Sequence, residues 1–190
     1  MSMAETITLA VHGGRRRGYA VTLLVHALGA TLAGSALGLL LGAAGAVVGL
    51  SWSGTEPIVV LLVTTTYAAR ELLGIPVPLP QRRAQVPDWW RTFFGTRVAA
   101  FLYGVGLGAG FLTYLSHGTF VAVALCALVS GDPLLGALLC APFGAARAAA
   151  IVATGGAGSD GVEAVATSAW PRATNGVALL GIVLAASLTL

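Results

Sequence analysis

Five residues in the run GAGFLTYLSHGTFVAVAL, Gly108 to Leu125, carry groups that could do chemistry. Thr113, Tyr114, Ser116, His117 and Thr119 fall within seven positions of one another in otherwise apolar surroundings. A second set, Thr64, Thr65, Thr66 and Tyr67, interrupts the run PIVVLLVTTTYAARELL. Apart from the Tyr114 phenol, His117 is the only ionisable group in the middle of its run. An imidazole there suits a proton, ion or solute path, because an ionisable group inside a membrane is costly to keep without a use. The hydroxyls have a plainer use: they bond back to their own helix or across to a neighbour, at about 0.6 kcal/mol each. Both readings stand. Under the first, Thr64, Thr65, Thr66, Tyr67, Thr113, Tyr114, Ser116 and His117 are the candidate residues for binding a small polar solute or ion.

Cys126 and Cys140 are the two thiols. Neither has Cys or His near it at metal-ligand spacing, so no zinc site and no CxxC pair can be written, and no metal or cofactor is expected. The two cysteines fall on opposite limbs of a hairpin, about one helical turn out of register. A disulfide would need their Cα atoms within about 7 Å; as free thiols they act as small apolar residues. His26, near the start of the first apolar run, reads as structural.

The scaffold for these residues follows from composition. Of 190 residues, 57% are hydrophobic and 9% charged, with 26 Gly, and the mean hydropathy is +0.89. A soluble domain carries about 25% charged residues. A helix rises about 1.5 Å per residue, so crossing roughly 30 Å of hydrocarbon takes about 20 apolar residues. Five segments qualify, at about 18–50, 57–75, 97–129, 133–154 and 174–190. The expectation is an all-α integral membrane protein: a cytoplasmic arm over 1–17, then one membrane domain over 18–190 with a cytoplasmic loop at 76–96. The first and third segments exceed a span and should tilt, kink or project. SGDP between the third and fourth is short enough to force an antiparallel hairpin. DWWRTFF, in and beside the loop, mixes charge and aromatics in the manner of a headgroup-level segment.

All ten basic residues are Arg. With the N-terminus inside, all ten fall on the cytoplasmic side, and the two outer turns hold only Glu56 and Asp132. That asymmetry predicts an N-in, C-out, multi-pass protein of a bacterial inner membrane. It also makes the pI of 9.3 a matter of orientation rather than of nucleic-acid binding. The first Arg cluster follows its semi-polar stretch instead of preceding an apolar one, so no cleaved signal peptide is expected. Gly34, Gly38 and Gly42, and the group Gly104 to Gly110, are small-residue faces that let helices approach closely in lipid.

The runs RRRGYAVTLLVHALGATLAGSALGLLLGAAGAVVG, LLVTTTYAARELLGIPVPLPQRR and FLYGVGLGAGFLTYLSHGTFVAVALCALVSGDPLLGALLCAPFGAARA resemble the membrane domain of the CcdA and DsbD family. That family moves reducing equivalents across the bacterial inner membrane for cytochrome c maturation and thiol reduction. The resemblance implies helices interrupted at the midplane by a Pro-Cys element, which would fall near Leu115 and Ser116. Neither Pro nor Cys stands there, and the family's first helix has no counterpart. Three readings follow. The leading one is a transporter-like protein with a midplane polar site. The others are a thiol-disulfide electron relay using Cys126 and Cys140, and a non-catalytic membrane subunit or assembly factor. None requires an enzyme. The partners they imply are the lipid bilayer, a membrane or thioredoxin-like protein, or a second copy of the chain; nucleic acid is not among them.

Overall fold

The computed structural model describes residues 12–52, 54–80, 89–110, 117–154 and 170–188, and among them the regular secondary structure is entirely helical. The helices are α1 (Arg16–Val48), α2 (Glu56–Leu73), α3 (Trp90–Gly108), α4 (Thr119–Val129), α5 (Pro133–Thr154) and α6 (Trp170–Ser187). Two of them, over Arg16–Val48 and Pro133–Ala150, are long and apolar enough to cross a membrane.

One expected helix becomes two. The apolar run 97–129 reads as continuous, but α3 stops at Gly108, Gly110 takes a left-handed φ of 64°, and α4 begins at Thr119. Glycine has low helix propensity and enters that region freely, which lets the chain leave the helix there. The loop 76–96 is also shorter than expected, because α3 starts at Trp90 and bends at Gly95, where φ is 74° and ψ 166°. Helix α6 starts at Trp170, ahead of the expected 174.

The described contacts divide the chain into two compact units. The first comprises Met1–Gly34, Arg83–Tyr114 and Ala141–Thr167, and the second Ser35–Arg82, Leu115–Cys140 and Ser168–Leu190. Within the first, His26 on α1 is fully buried and its Nδ1–H donates to the Ala100 carbonyl of α3 at 3.0 Å. Trp90 stacks on Tyr103, with 5.9 Å between ring centroids. Arg147 lies inside α5, as the expected segment 133–154 has it, and its Nη1 donates to the Leu107 carbonyl at 3.1 Å.

Within the second unit, Val60 packs with Cys126, Val129 and Ala186, while Tyr67 and Ala68 pack with Ala122 and Leu179. Rising numbers on α2 thus meet falling numbers on α4 and α6, and both helices run antiparallel to α2. Helix α5 begins at a local cap, with Asp132 Oδ1 accepting from the Leu134 and Leu135 amides at 2.8 and 3.0 Å. Gly38 of α1 and Gly136 of α5 cross in backbone contact; a side-chain carbon on Gly38 would lie 2.0 Å from the Gly136 carbonyl oxygen. Hydrogen there is what permits the crossing. The segment after α2 is not a free loop either, since Val77 and Leu79 fold back onto the Tyr67 and Leu179 cluster.

Candidate functional site

A helix that ends inside a protein leaves amide N–H groups unpaired at its start and carbonyls unpaired at its end, with partial charges of opposite sign. The end of α3 and the start of α4 are each met, within their own units, by a side chain of the matching charge. In the first unit, the end of α3 is met by the Arg147 guanidinium at the Leu107 carbonyl. In the second, the start of α4 is met by the carboxylate of Glu71, whose Oε1 accepts from the Gly118 amide at 3.1 Å. Neither charge comes from the helix that it meets.

Glu71 is the centre of the second arrangement. Its side chain is 1% exposed, although it lies in the last turn of α2. Oε1 also accepts from Arg70 Nη1, and Oε2 accepts from His117 Nδ1 at 3.0 Å. Both oxygens are therefore occupied, as a buried carboxylate requires. A carboxylate in this state only accepts, so His117 must donate from Nδ1. The imidazole is 23% exposed, and its hydrogen bond to Glu71 is the one from Nδ1. Held this way, His117 can accept, donate or pass a proton only through Nε2.

Local structure explains why Glu71 and Arg70 hold their places. Gly74 ends α2 in the left-handed conformation, and its amide returns to the Arg70 carbonyl at 3.1 Å. The chain then doubles back. Arg70 Nε donates to the Val77 carbonyl at 3.0 Å and the Tyr67 hydroxyl to the Pro78 carbonyl at 3.1 Å. Gly118 can approach Glu71 because it lacks a side chain; a carbon added there would lie 2.4 Å from Cδ1 of Tyr67. Thr119, the first residue of α4, donates its hydroxyl to Asn175 Oδ1 on α6 at 2.5 Å, and Asn175 Nδ2 donates to the Pro171 carbonyl at 2.7 Å.

The expected polar belt is redistributed. Thr113, Tyr114 and Ser116 lie outside the described residues. Tyr67 lies against Gly118, the neighbour of His117 in the chain, yet the Tyr67 hydroxyl goes to the Pro78 carbonyl rather than to the imidazole. Thr64 is fully buried, with no partner for its hydroxyl among the described residues. Thr65 and Thr66 face outward, and Thr66 bonds back to the Leu62 carbonyl at 2.8 Å. Since Gly118 lies against Tyr67 and Glu71, the cluster stands near the end of α2 rather than at its centre. Cys126 and Cys140 are free and buried. Among the described residues no group of three His, Cys, Asp or Glu could hold a metal ion. Glu71 itself escapes a reading of the sequence, because a charged pair at the edge of an apolar run looks like the start of a solvated loop.

No family model matches the chain, and no solved structure matches it. Curated relatives do. The chain is 39% identical over 128 residues to the methylamine utilization protein MauF of Paracoccus versutus, a match covering 66% of this chain and 47% of that protein. MauF of Paracoccus denitrificans is 39% identical over 116 residues, covering 60% of this chain and 42% of that one. MauF of Methylorubrum extorquens is 35% identical over 130 residues, covering 68% and 46%. These relatives overturn the resemblance to CcdA and DsbD, and with it the transporter and thiol-relay readings. The missing Pro-Cys element and the buried, unpaired thiols agree with that correction. The chain spans about half the length of the curated relatives it matches, and along that stretch it is similar to MauF, a methylamine utilization protein.

Proposed function

We propose that this chain is a multi-pass inner-membrane accessory protein of methylamine utilization, in which Glu71 and Arg147 hold an interrupted span and His117 presents the reactive edge. The observation that carries the functional half is the 39% identity over 128 residues to a methylamine utilization protein. The membrane half is supported by large apolar side chains left on the outside. Leu24, Leu28 and Leu32 form a stripe along α1, Leu134 and Leu138 along α5, and Val177, Leu180 and Leu184 along α6. Exposed apolar stripes on helix after helix suit lipid far better than water. With α3 and α4 as one interrupted crossing, the helices make five crossings, N-terminus inside. An interrupted crossing is tolerated in lipid only where its loose backbone groups find partners within the protein. Arg147 and Glu71 are partners of that kind.

The test is genetic. A deletion strain of the source bacterium should lose growth on methylamine as its nitrogen source. A copy of this gene should restore growth, and Glu71→Ala and His117→Ala copies should restore it poorly at equal protein level. Normal growth of the deletion strain on methylamine would overturn the proposal.

A further inference from the structure

At the start of α3, in the first unit, three large aromatic side chains stand on the surface together. Trp89 is 56%, Phe93 79% and Phe94 42% exposed. The Trp89 ring lies 6.1 Å from each phenylalanine, and the two phenylalanines lie 5.3 Å from each other. Contiguous apolar surface of this kind marks a binding face. Trp90, next in the chain, is half-buried and stacks on the buried Tyr103 at 5.9 Å, which ties the cluster to the body of the unit. Gly95 separates the cluster from the rest of α3. Its φ of 74° with ψ of 166° is a conformation that essentially only glycine adopts. Residues 90–94 therefore form a short foot that is bent off the axis of the helix behind it.

Position decides what covers the foot. Rising numbers on α3 meet rising numbers on α1: the Ala100 carbonyl accepts from His26, Gly104 lies against His26 and Ala30, and Gly108 lies against Ala30. Both helices thus start at one end of the unit, where Arg15, Arg16 and Arg17 are exposed. Counted from the level of His26 and Ala100 toward that end, Arg17 lies about 13.5 Å away and Gly95 about 7.5 Å, at about 1.5 Å per residue. The bend therefore falls about 6 Å inside the level of the arginines, and the headgroup layer is about 5–7 Å thick on each face of a bilayer. Indole and phenyl rings suit that layer, where one side is wet and the other apolar. Arg97, exposed two residues past the bend, has a stem long enough to carry its guanidinium back to the phosphates. We propose that Trp89, Phe93 and Phe94 insert into the lipid headgroup layer on the face where α1 begins, and that this foot sets the depth of α3. The proposal rests on the membrane reading above.

The test is tryptophan fluorescence of the full chain in phosphatidylcholine vesicles. Trp52→Phe and Trp170→Phe leave Trp89 and Trp90 as the reporters, with the Trp90 stack intact. Spin-labelled phosphatidylcholine carries its quencher either near the headgroup end or near the methyl end of the acyl chain, and iodide quenches from the water. The headgroup-end label should remove more emission than the methyl-end label, and iodide should remove least. Quenching by iodide alone would put the foot in water, protection from all three would put protein over it, and strongest quenching by the methyl-end label would put it too deep; each overturns the proposal. Gly95→Ala reads the bend. A carbon added there meets nothing within 4 Å, so only the backbone responds, and emission should move from the headgroup-end label toward iodide; an unchanged pattern would overturn the role of the bend. The membrane reading has its own reporter in Leu28→Trp, placed on the exposed stripe of α1 with all four native tryptophans replaced by Phe. Strong quenching of that residue by the methyl-end label, with Trp89 open to iodide alone, refutes the foot and leaves the membrane reading standing.

Discussion

Replacing Glu71 is the most direct way to ask whether the start of α4 is held as described. The carboxylate accepts from Gly118, Arg70 and His117, and a hydrogen bond to a charged group contributes roughly 1.5–3 kcal/mol. Gln at this position keeps one acceptor oxygen, but its amide then faces a donor, either the Gly118 N–H or the His117 N–H. If the amide turns toward His117, the ring can switch to the tautomer that accepts at Nδ1, so the Gln variant should lose about one charge-assisted bond, near 2 kcal/mol. Ala removes all acceptors and strands buried donors, which should cost about 3–5 kcal/mol. Amide hydrogen exchange of the protein in nanodiscs, read by mass spectrometry, resolves the effect locally. A loss of 2 kcal/mol confined to the start of α4 speeds exchange there about 30-fold. The first turn of α4 should respond most, and the distal turns of α5 least. Unchanged exchange at α4 in Glu71→Ala, with the protein still monodisperse, would refute the claim that this carboxylate caps the helix.

Gly118→Ala should lower the melting temperature in detergent, because the added carbon meets the Tyr67 ring at 2.4 Å and overpacking of this kind costs about 1–3 kcal/mol; combining it with Tyr67→Leu should recover part of the loss, and strictly additive losses would argue against the contact. Arg147→Ala should raise amide exchange in the last turn of α3 about tenfold, the equivalent of roughly 1.4 kcal/mol for a lost charged partner at a helix end, while an effect spread evenly over the chain would contradict a local cap. A Cys126→Ala, Cys140→Ala double variant should support growth on methylamine like the wild type, since both thiols are free and buried; a growth defect at normal protein level would reopen a chemical role for them.

Some of the molecule is legible residue by residue along the chain. Asp132 caps α5 two and three residues ahead of itself, and Gly131 turns the SGDP hairpin with φ 57°. Features of this range are readable because their partners sit a few positions away. The interruption after Gly108 is half legible: Gly108 and Gly110 mark a weak point, but the apolar residues on either side are those of an unbroken span. The Tyr67 hydroxyl illustrates the opposite case. Depth along a straight helix places it among polar groups at the centre of the membrane, whereas its partner is the Pro78 carbonyl, reached only because Gly74 turns the chain back.

Composition and the spacing of apolar runs determined on their own that the chain would be helical, because only helices pair every backbone group within runs of that length and polarity. They also marked the stretch around His117 as unusual for an apolar segment. What only the tertiary structure decided is how that stretch is stabilised. The caps of the two helix ends, Glu71 for Gly118 and Arg147 for Leu107, come from positions 47 and 40 residues away. A capping bond depends on where helix ends meet in space, and nothing in the local order of residues specifies which distant charge will arrive there.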